Sequence, residues 1–265
     1  MGVVTDAWGW LTTGAHWTGE EGVGRRLTEH VYVSGAALLI AAAIALPLGL
    51  WLGHLGRGGT LAVNVSNIGR AVPVFAVLAL FMVSPLRNAG YVPTVVALVL
   101  FAIPPLLTNA YVGMREVDPA AVRAARGMGM TGGQLFRQVE LPLARPVVMT
   151  GVRSAAVQVV ATATIAAMVG QGGLGRIITA GFATYDTAQV VAGAVLVALL
   201  ALLVEGVLVG ADRLFFPRVG RRRDQRTERL GNRATGTERL GNRATGQEQL
   251  GDSDRARATE QLSKS

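Results

Sequence analysis

The chain has 265 residues, 51% of them hydrophobic and 16% charged, with a mean hydropathy of +0.41; these values exclude an ordinary soluble domain and point to a membrane protein. It contains no cysteine, which excludes disulfides, thiolate nucleophiles and cysteine-ligated metals. The formal net charge of +8 is uneven, with +5 from Arg218 onward and +3 before it, so it does not indicate nucleic-acid binding.

In chain order, residues 1–29 form a polar lead-in containing Trp8, Trp10 and Trp17. Tryptophan favours the membrane–water interface, so the segment reads either as lying along the outer surface or as an unstructured lead-in. The basic start, apolar middle and small-residue cleavage site of a secretory signal are missing, which makes the first span an expected uncleaved anchor. That span is Val31–Gly53, uncharged and long enough to cross a hydrocarbon core. A second is expected over Leu61–Val83, interrupted by Arg70 and bent at Pro73. A third covers Tyr91–Tyr111, where Pro104 and Pro105 predict a kink or an unwound stretch. The fourth runs from about Val147 to Val169, and the fifth from Ala188 to Val209 with Glu205 near its end. Long apolar runs without short alternating strands predict a helical bundle rather than a barrel. Two unchanged copies of "TERLGNRATG" occupy 227–246, within a low-complexity tail, 218–265, expected to be disordered. The tail reads as solvated, with attachment to an anionic lipid surface as the alternative.

Arginine is biased among the connections. Arg57, the five arginines between Arg115 and Arg145, and Arg213, Arg218 and Arg221 to Arg223 fall on one side; Arg25, Arg26, Arg87 and Arg176 fall on the other. Basic residues stay on the cytoplasmic side, so the N-terminus is expected outside and the C-terminus in the cytoplasm of a multi-pass plasma-membrane protein.

The third and fourth spans are joined by a basic, glycine-punctuated loop within 113–146. Asp118-Pro119 is a helix start, followed by a short helix to about Arg126, breaks at Gly127, Gly129 and Gly132-Gly133, and a second short helix ended by Pro142. Small faces at Ala120, Ala121, Ala124 and Ala125 admit a close-packed partner, and Met128 and Met130 offer adaptable apolar contacts. This stretch resembles the EAA loop of bacterial ABC importer permeases: Ala124, Ala125, Gly129, Leu141 and Pro142 match at the required spacing, and Val139 stands for the motif isoleucine. Arg123 replaces the motif glutamate. "GRAVPVFAVLALF" from Gly69 and "MVGQGGLGRIITAGF" from Met168 are similar to the permease subunits of glycine betaine, choline and carnitine importers. The resemblance implies an all-α integral membrane protein with about five transmembrane helices and a cytoplasmic coupling loop, in the type I ABC importer (MetI-like) architecture. It implies a role in ATP-driven import of a small compatible solute, with a methionine or other amino-acid permease as the alternative. An intramembrane enzyme using Glu205 or Asp212 is a remote reading, because neither has an evident catalytic companion.

The coupling set implied is Asp118, Pro119, Ala121, Ala124, Ala125, Gly127, Met128, Gly129, Met130, Leu141 and Pro142. Expected partners are a cytoplasmic ATP-binding subunit, a second copy or related permease, an extracytoplasmic solute-binding protein and membrane lipid. MgATP is expected on the partner alone, since this chain has no phosphate-binding Gly-x-x-x-x-Gly-Lys sequence. No metal site is expected from His16, His30 and His54, which lack ligand spacing. Arg70 and Pro73 are candidate gate or pathway residues, Arg70 acting as a structural brace, for example to Glu205. Gly172, Gly173 and Gly175 are candidates for an outer gate, because a glycine run cannot be a stable lipid-facing helix.

Overall fold

The structure, a computed structural model, describes residues 2–215, without the side chains of Leu61, Val63, Arg70 and Phe215; the repeat tail lies outside the described residues. Ten α-helices follow one another: α1 (Val3–Thr12), α2 (Val23–Leu55), α3 (Gly59–Ala71), α4 (Val74–Val83), α5 (Val92–Arg115), α6 (Pro119–Gly127), α7 (Gly132–Leu135), α8 (Leu141–Ala163), α9 (Gly175–Thr184) and α10 (Thr187–Phe215). A π-turn over Phe136–Glu140 joins α7 to α8, and a 3-10 turn over Thr164–Val169 extends α8, so that Gly132–Val169 is one helical rod. Among the described residues four segments are long and apolar enough to cross a membrane: Val23–Leu55, Val92–Arg115, Gly132–Val169 and Thr187–Leu214. They account for four of the five expected spans.

The remaining expected span is not one bent helix. It is broken into α3 and α4, because Pro73 has no amide to donate and forces Val72 into an extended conformation (φ −83°, ψ 119°). Other prolines behave differently. α5 runs unbroken through Pro104 and Pro105, so of the expected kink or unwound stretch the unwinding does not occur; the Pro105 carbonyl accepts a bond from Asn109 Nδ2 at 2.8 Å. Pro142 does not end a helix either. It occupies the first turn of α8, directly after the π-turn, which closes with Leu141 N–H donating to the Phe136 carbonyl five residues back.

The core is built from α2, α5 and α8. Along α2, Ala37, Ala41 and Ala45 are fully buried, and Gly49 and Gly53 continue the same four-residue repeat. Residues four apart share one face of a helix, so this is a stripe of small side chains. α5 lies directly against it: a Cβ added at Gly49 would sit 2.7 Å from the Leu107 carbonyl oxygen and 2.8 Å from Ala110 Cβ, and one at Gly53 would sit 2.5 Å from Met114 Cβ. On another side of α5, Gly151 of α8 meets Asn109, and Gly69 of α3 meets the Pro104 ring, both without room for a Cβ. Lipid supplies no hydrophobic drive for helices to associate, so close backbone approach through small residues takes its place. The opposite face of α2, including Leu39, Ile44 and Trp51, is exposed, and few residues of α10 are buried.

The N-terminal lead-in is structured. α1 is followed by a turn in which the Trp10 and His16 rings stack 4.3 Å apart and Trp17 Nε1 donates to the Leu11 carbonyl.

Replacing Ala41 by leucine should overpack the α2–α5 seam and cost about 1–3 kcal/mol. Thermal unfolding in detergent should show a lower midpoint for Ala41→Leu, while Leu39→Ala, on the exposed face, should leave the midpoint nearly unchanged.

Candidate functional site

Two places carry most of the residues singled out from the sequence, and they lie at opposite ends of α2. At one end is the α5–α8 connection. The Asp118 side chain caps α6 by accepting a bond from Ala120 N–H at 2.8 Å, with Pro119 in the first turn. At the other end of α6, Gly129 has φ +81°; its N–H donates to the Arg126 carbonyl, and Met130 N–H donates to the Ala125 carbonyl. This paired pattern around a left-handed residue is a Schellman ending, which glycine adopts without steric cost. Thr131 then opens the next helix with a capping box, exchanging bonds with Gln134. The breaks at Gly127–Gly133 are thus a defined stop and restart.

Burial sorts the loop residues into two sets. Ala125 is 2% exposed and faces inward, with Ala121 half-buried. Asp118, Pro119, Arg123, Ala124, Gly127, Met128 and Gly129 face outward, Met128 being 72% exposed, and Arg123 has no polar partner among the described residues. Met130 and Leu141 are half-buried and Pro142 is exposed. The two alanines of the motif therefore do different things: Ala125 seats α6 on the bundle, while Ala124 leaves its outer surface low.

Beneath α6 lies a contact that the sequence did not reveal. Glu140, 6% exposed, pairs through Oε2 with Nδ1 of His54 at the last turn of α2, and the His54 ring stands edge-on to Phe136 at 5.4 Å. The π-turn after the loop is thereby tied to α2. A second tie joins Arg145 of α8 to Asp212 of α10, through both its carboxylate and its backbone carbonyl. Asp212 is thus held by a structural partner.

At the other end of α2, residues 170–175 form a turn pressed against that helix. Gly173 (φ +93°) donates its N–H to Glu29 Oε2 at 2.9 Å, and Leu174 N–H donates to His30 Nδ1 at 3.2 Å. His30 Nε2 donates to the Val160 carbonyl at 2.9 Å, which fixes the ring tautomer. Glu29 is in turn held by Arg26, which also pairs with Glu21; that contact and the Arg26 charge lower the Glu21 carboxyl. Burial, followed by the charge of the neighbouring Glu29, raises the Tyr91 hydroxyl. Three glycines of the turn are crowded: an added Cβ would lie 2.3 Å from Glu29 Oε2 at Gly172, 3.1 Å from His30 Nδ1 at Gly173, and 2.2 Å from the Thr164 carbonyl oxygen at Gly175, whereas at Gly170 it would meet nothing within 4 Å.

Arg70 and Pro73 are apart from both places, at the α3–α4 break. The Arg70 side chain lies outside what the structure describes; Glu205 is exposed on α10. Beside the break is an almost wholly apolar cavity of about 290 Å³ between Val72, Val74, Leu100, Phe101 and Pro104. Among the described residues no group of His, Asp and Glu is arranged to hold a metal.

The comparisons with known proteins now bear on this arrangement. Residues 45–221 match the family model described as "Binding-protein-dependent transport system inner membrane component". The chain belongs to that family. It is therefore a multi-pass transport permease of the membrane, and its matched region contains both the loop and the glycine turn. It is 37% identical over 189 residues, 71% of this chain and 86% of the relative, to the choline transport system permease protein OpuBB of Bacillus subtilis. To the glycine betaine/carnitine/choline transport system permease protein OpuCB of the same organism it is 36% identical, over 72% of this chain and 87% of that one. The fold is that of the inward-facing MetNI methionine ABC transporter, with a TM-score of 0.63, 23% identity, and coverage of 73% of this chain and 96% of that one.

The Schellman ending gives the permease's loop a local test. A side chain at Gly129 must take the left-handed conformation at a cost of about 1–2 kcal/mol. Gly129→Ala should loosen the end of α6, and trypsin should cut after Arg123 and Arg126 several-fold faster than in the wild type.

Proposed function

We infer that this permease is one membrane subunit of an ATP-driven importer for a small quaternary-amine compatible solute such as glycine betaine, choline or carnitine. The observation that carries the cargo class is the 36–37% identity, over more than 70% of the chain, to permeases named for these compounds. An amino-acid cargo has less support, since the likeness to the methionine transporter is at 23% identity and speaks for the fold alone.

In this reading the outward face of α6, with Arg123, Ala124, Gly127 and Met128, seats on a cytoplasmic ATP-binding subunit, which binds MgATP; no cofactor is held by the permease. The low alanine and glycine surface with one protruding methionine suits a groove in a partner. Arg123 presents a positive charge where the motif has a negative one, so the partner groove is expected to offer an acceptor or acidic group there. The arginine bias favours a cytoplasmic loop and C-terminus, with the N-terminus and the glycine turn outside, where a solute-binding protein delivers cargo. A second permease, a copy or a relative, would complete the pathway. The α3–α4 break supports it: Ala71, Val72 and Pro73 are exposed, and broken backbone at membrane depth needs protein or water against it.

Gly172, Gly173 and Gly175 are then the outer gate, and Pro73 with Arg70 shapes and braces the pathway side. ATP binding favours one of two states because the partner binds the loop with different affinity in each. The few aromatics, 6% of the chain, argue against an aromatic cage here, which assigns cargo selectivity mainly to the binding protein.

Uptake by a transport-deficient bacterium expressing the permease with its partner subunits tests the cargo. Labelled glycine betaine or choline should accumulate and be displaced by excess quaternary amine but not by methionine; displacement by methionine would overturn the assignment.

A further inference from the structure

We propose that Glu29 and His30 are positioning residues of transport: together they form a latch that holds the 170–175 turn closed and must be released for the pathway to open outward. The proposal rests on the reading of the glycine turn as the outer gate and names what controls it. Two consecutive residues of α2 capture two consecutive amides of the turn, Glu29 taking Gly173 N–H and His30 taking Leu174 N–H, across 144 positions of sequence. Neither anchor depends on the turn for its own orientation. Arg26 holds the Glu29 carboxylate, and the Val160 carbonyl holds the His30 ring with Nδ1 free to accept. The receiving side is thus preset, while the turn also seats Leu174, fully buried in an apolar cluster with Val23, Val160 and Ile177, which moves when the turn lifts.

The chemistry of the contact suits a part that opens and closes. Gly172 and Gly173 have no side chains to unpack, and backbone N–H groups released from Glu29 and His30 are taken over by water; Leu174 is the turn's apolar anchor in the core. Gly172 and Gly173 contribute no side chain, so hydrogen bonds are the main hold at these two positions, and a single added methyl at Gly172 would strike the Glu29 carboxylate. One further group favours opening. Thr94 Oγ1 is buried without a partner among the described residues, facing a space of about 10 Å³ shared with Glu29, His30, Tyr91 and Gly172. Lifting the turn admits water to that hydroxyl, which offsets part of the cost of breaking the latch. The closed state is held firmly but not irreversibly.

The chain has no native cysteine, so a single reporter can be read without background. Gln171, half-buried beside the turn, is replaced by cysteine in the importer assembled with its ATP-binding subunit in proteoliposomes. Labelling by a membrane-impermeant maleimide is then followed with and without vanadate-trapped nucleotide. In the Gln171→Cys parent, labelling should be slow at rest and fast when nucleotide is trapped. Glu29→Ala and His30→Ala should each raise the resting rate, Glu29→Ala about tenfold for loss of a charge-assisted bond, and flatten the nucleotide dependence. Glu29→Gln keeps an acceptor oxygen and should fall between. Gly172→Ala leaves both anchors in place yet displaces the carboxylate, so it should reproduce the gain where Glu29→Ala fails to assemble. Resting rates unchanged in Glu29→Ala and Gly172→Ala, with nucleotide dependence intact, would overturn the latch and leave the gate standing. A parent rate indifferent to nucleotide would overturn the gate and the latch with it.

Discussion

The distance of closest approach between α2 and α5 is the constraint on which the rest of the structure depends. Ala37, Ala41, Ala45, Gly49 and Gly53 present almost no side chain to α5, and Leu107, Ala110 and Met114 lie where any larger group would have to be. Backbone contact of this kind seats α2 firmly against α5. Its ends then become fixed reference points: Glu29 and His30 at one, His54 at the other, 24 residues and about 36 Å apart at 1.5 Å per residue. The glycine turn is measured against the first pair, and the π-turn behind α6 against the last. A displacement of α6 therefore reaches α2 through Glu140 and α8 through the continuous helix, rather than being absorbed in a floppy loop. Interfaces of packed side chains switch between discrete arrangements instead of deforming smoothly, which is what a transporter with two facing states requires.

Much of this was legible in the residues, and the legible part was local. Apolar runs mark four spans and their order, because span length is set by the thickness of the hydrocarbon. Asp118-Pro119 marked the start of α6, and Gly129 its end, because caps are written in neighbouring residues. Proline was harder to read. The same residue type breaks a span at Pro73, passes through α5 at Pro104 and Pro105, and sits harmlessly in the first turn of α8 at Pro142; packing and position decide among these, and neither is visible in a dipeptide.

The contacts at the two ends of α2 were not legible. His54 and Glu140 are 86 positions apart, and Glu29 and Gly173 are 144 apart, so no periodicity or motif brings them together. His30 and His54 were passed over because they lack metal-ligand spacing, while their actual partners are a backbone amide and a carboxylate. The glycine run of the turn stands out in the sequence because it cannot be a stable lipid-facing helix; the structure adds that Gly172 and Gly175 are also places where a Cβ has no room. Family membership supplies the frame for all of these, and the division of the loop into an inward Ala125 and an outward Ala124 is what turns a shared motif into a surface with a direction.

The account stands or falls on whether the outward face of α6 is where force enters. A photoreactive maleimide attached to Met128→Cys, in a chain with no other cysteine, addresses it in a single measurement on the assembled importer. The account predicts an efficient covalent adduct with the ATP-binding subunit from Met128, and little from the same probe at Leu39→Cys on the exposed apolar face of α2. Equal adduct from both positions, or none from Met128 in an importer that is intact and transporting, would contradict it.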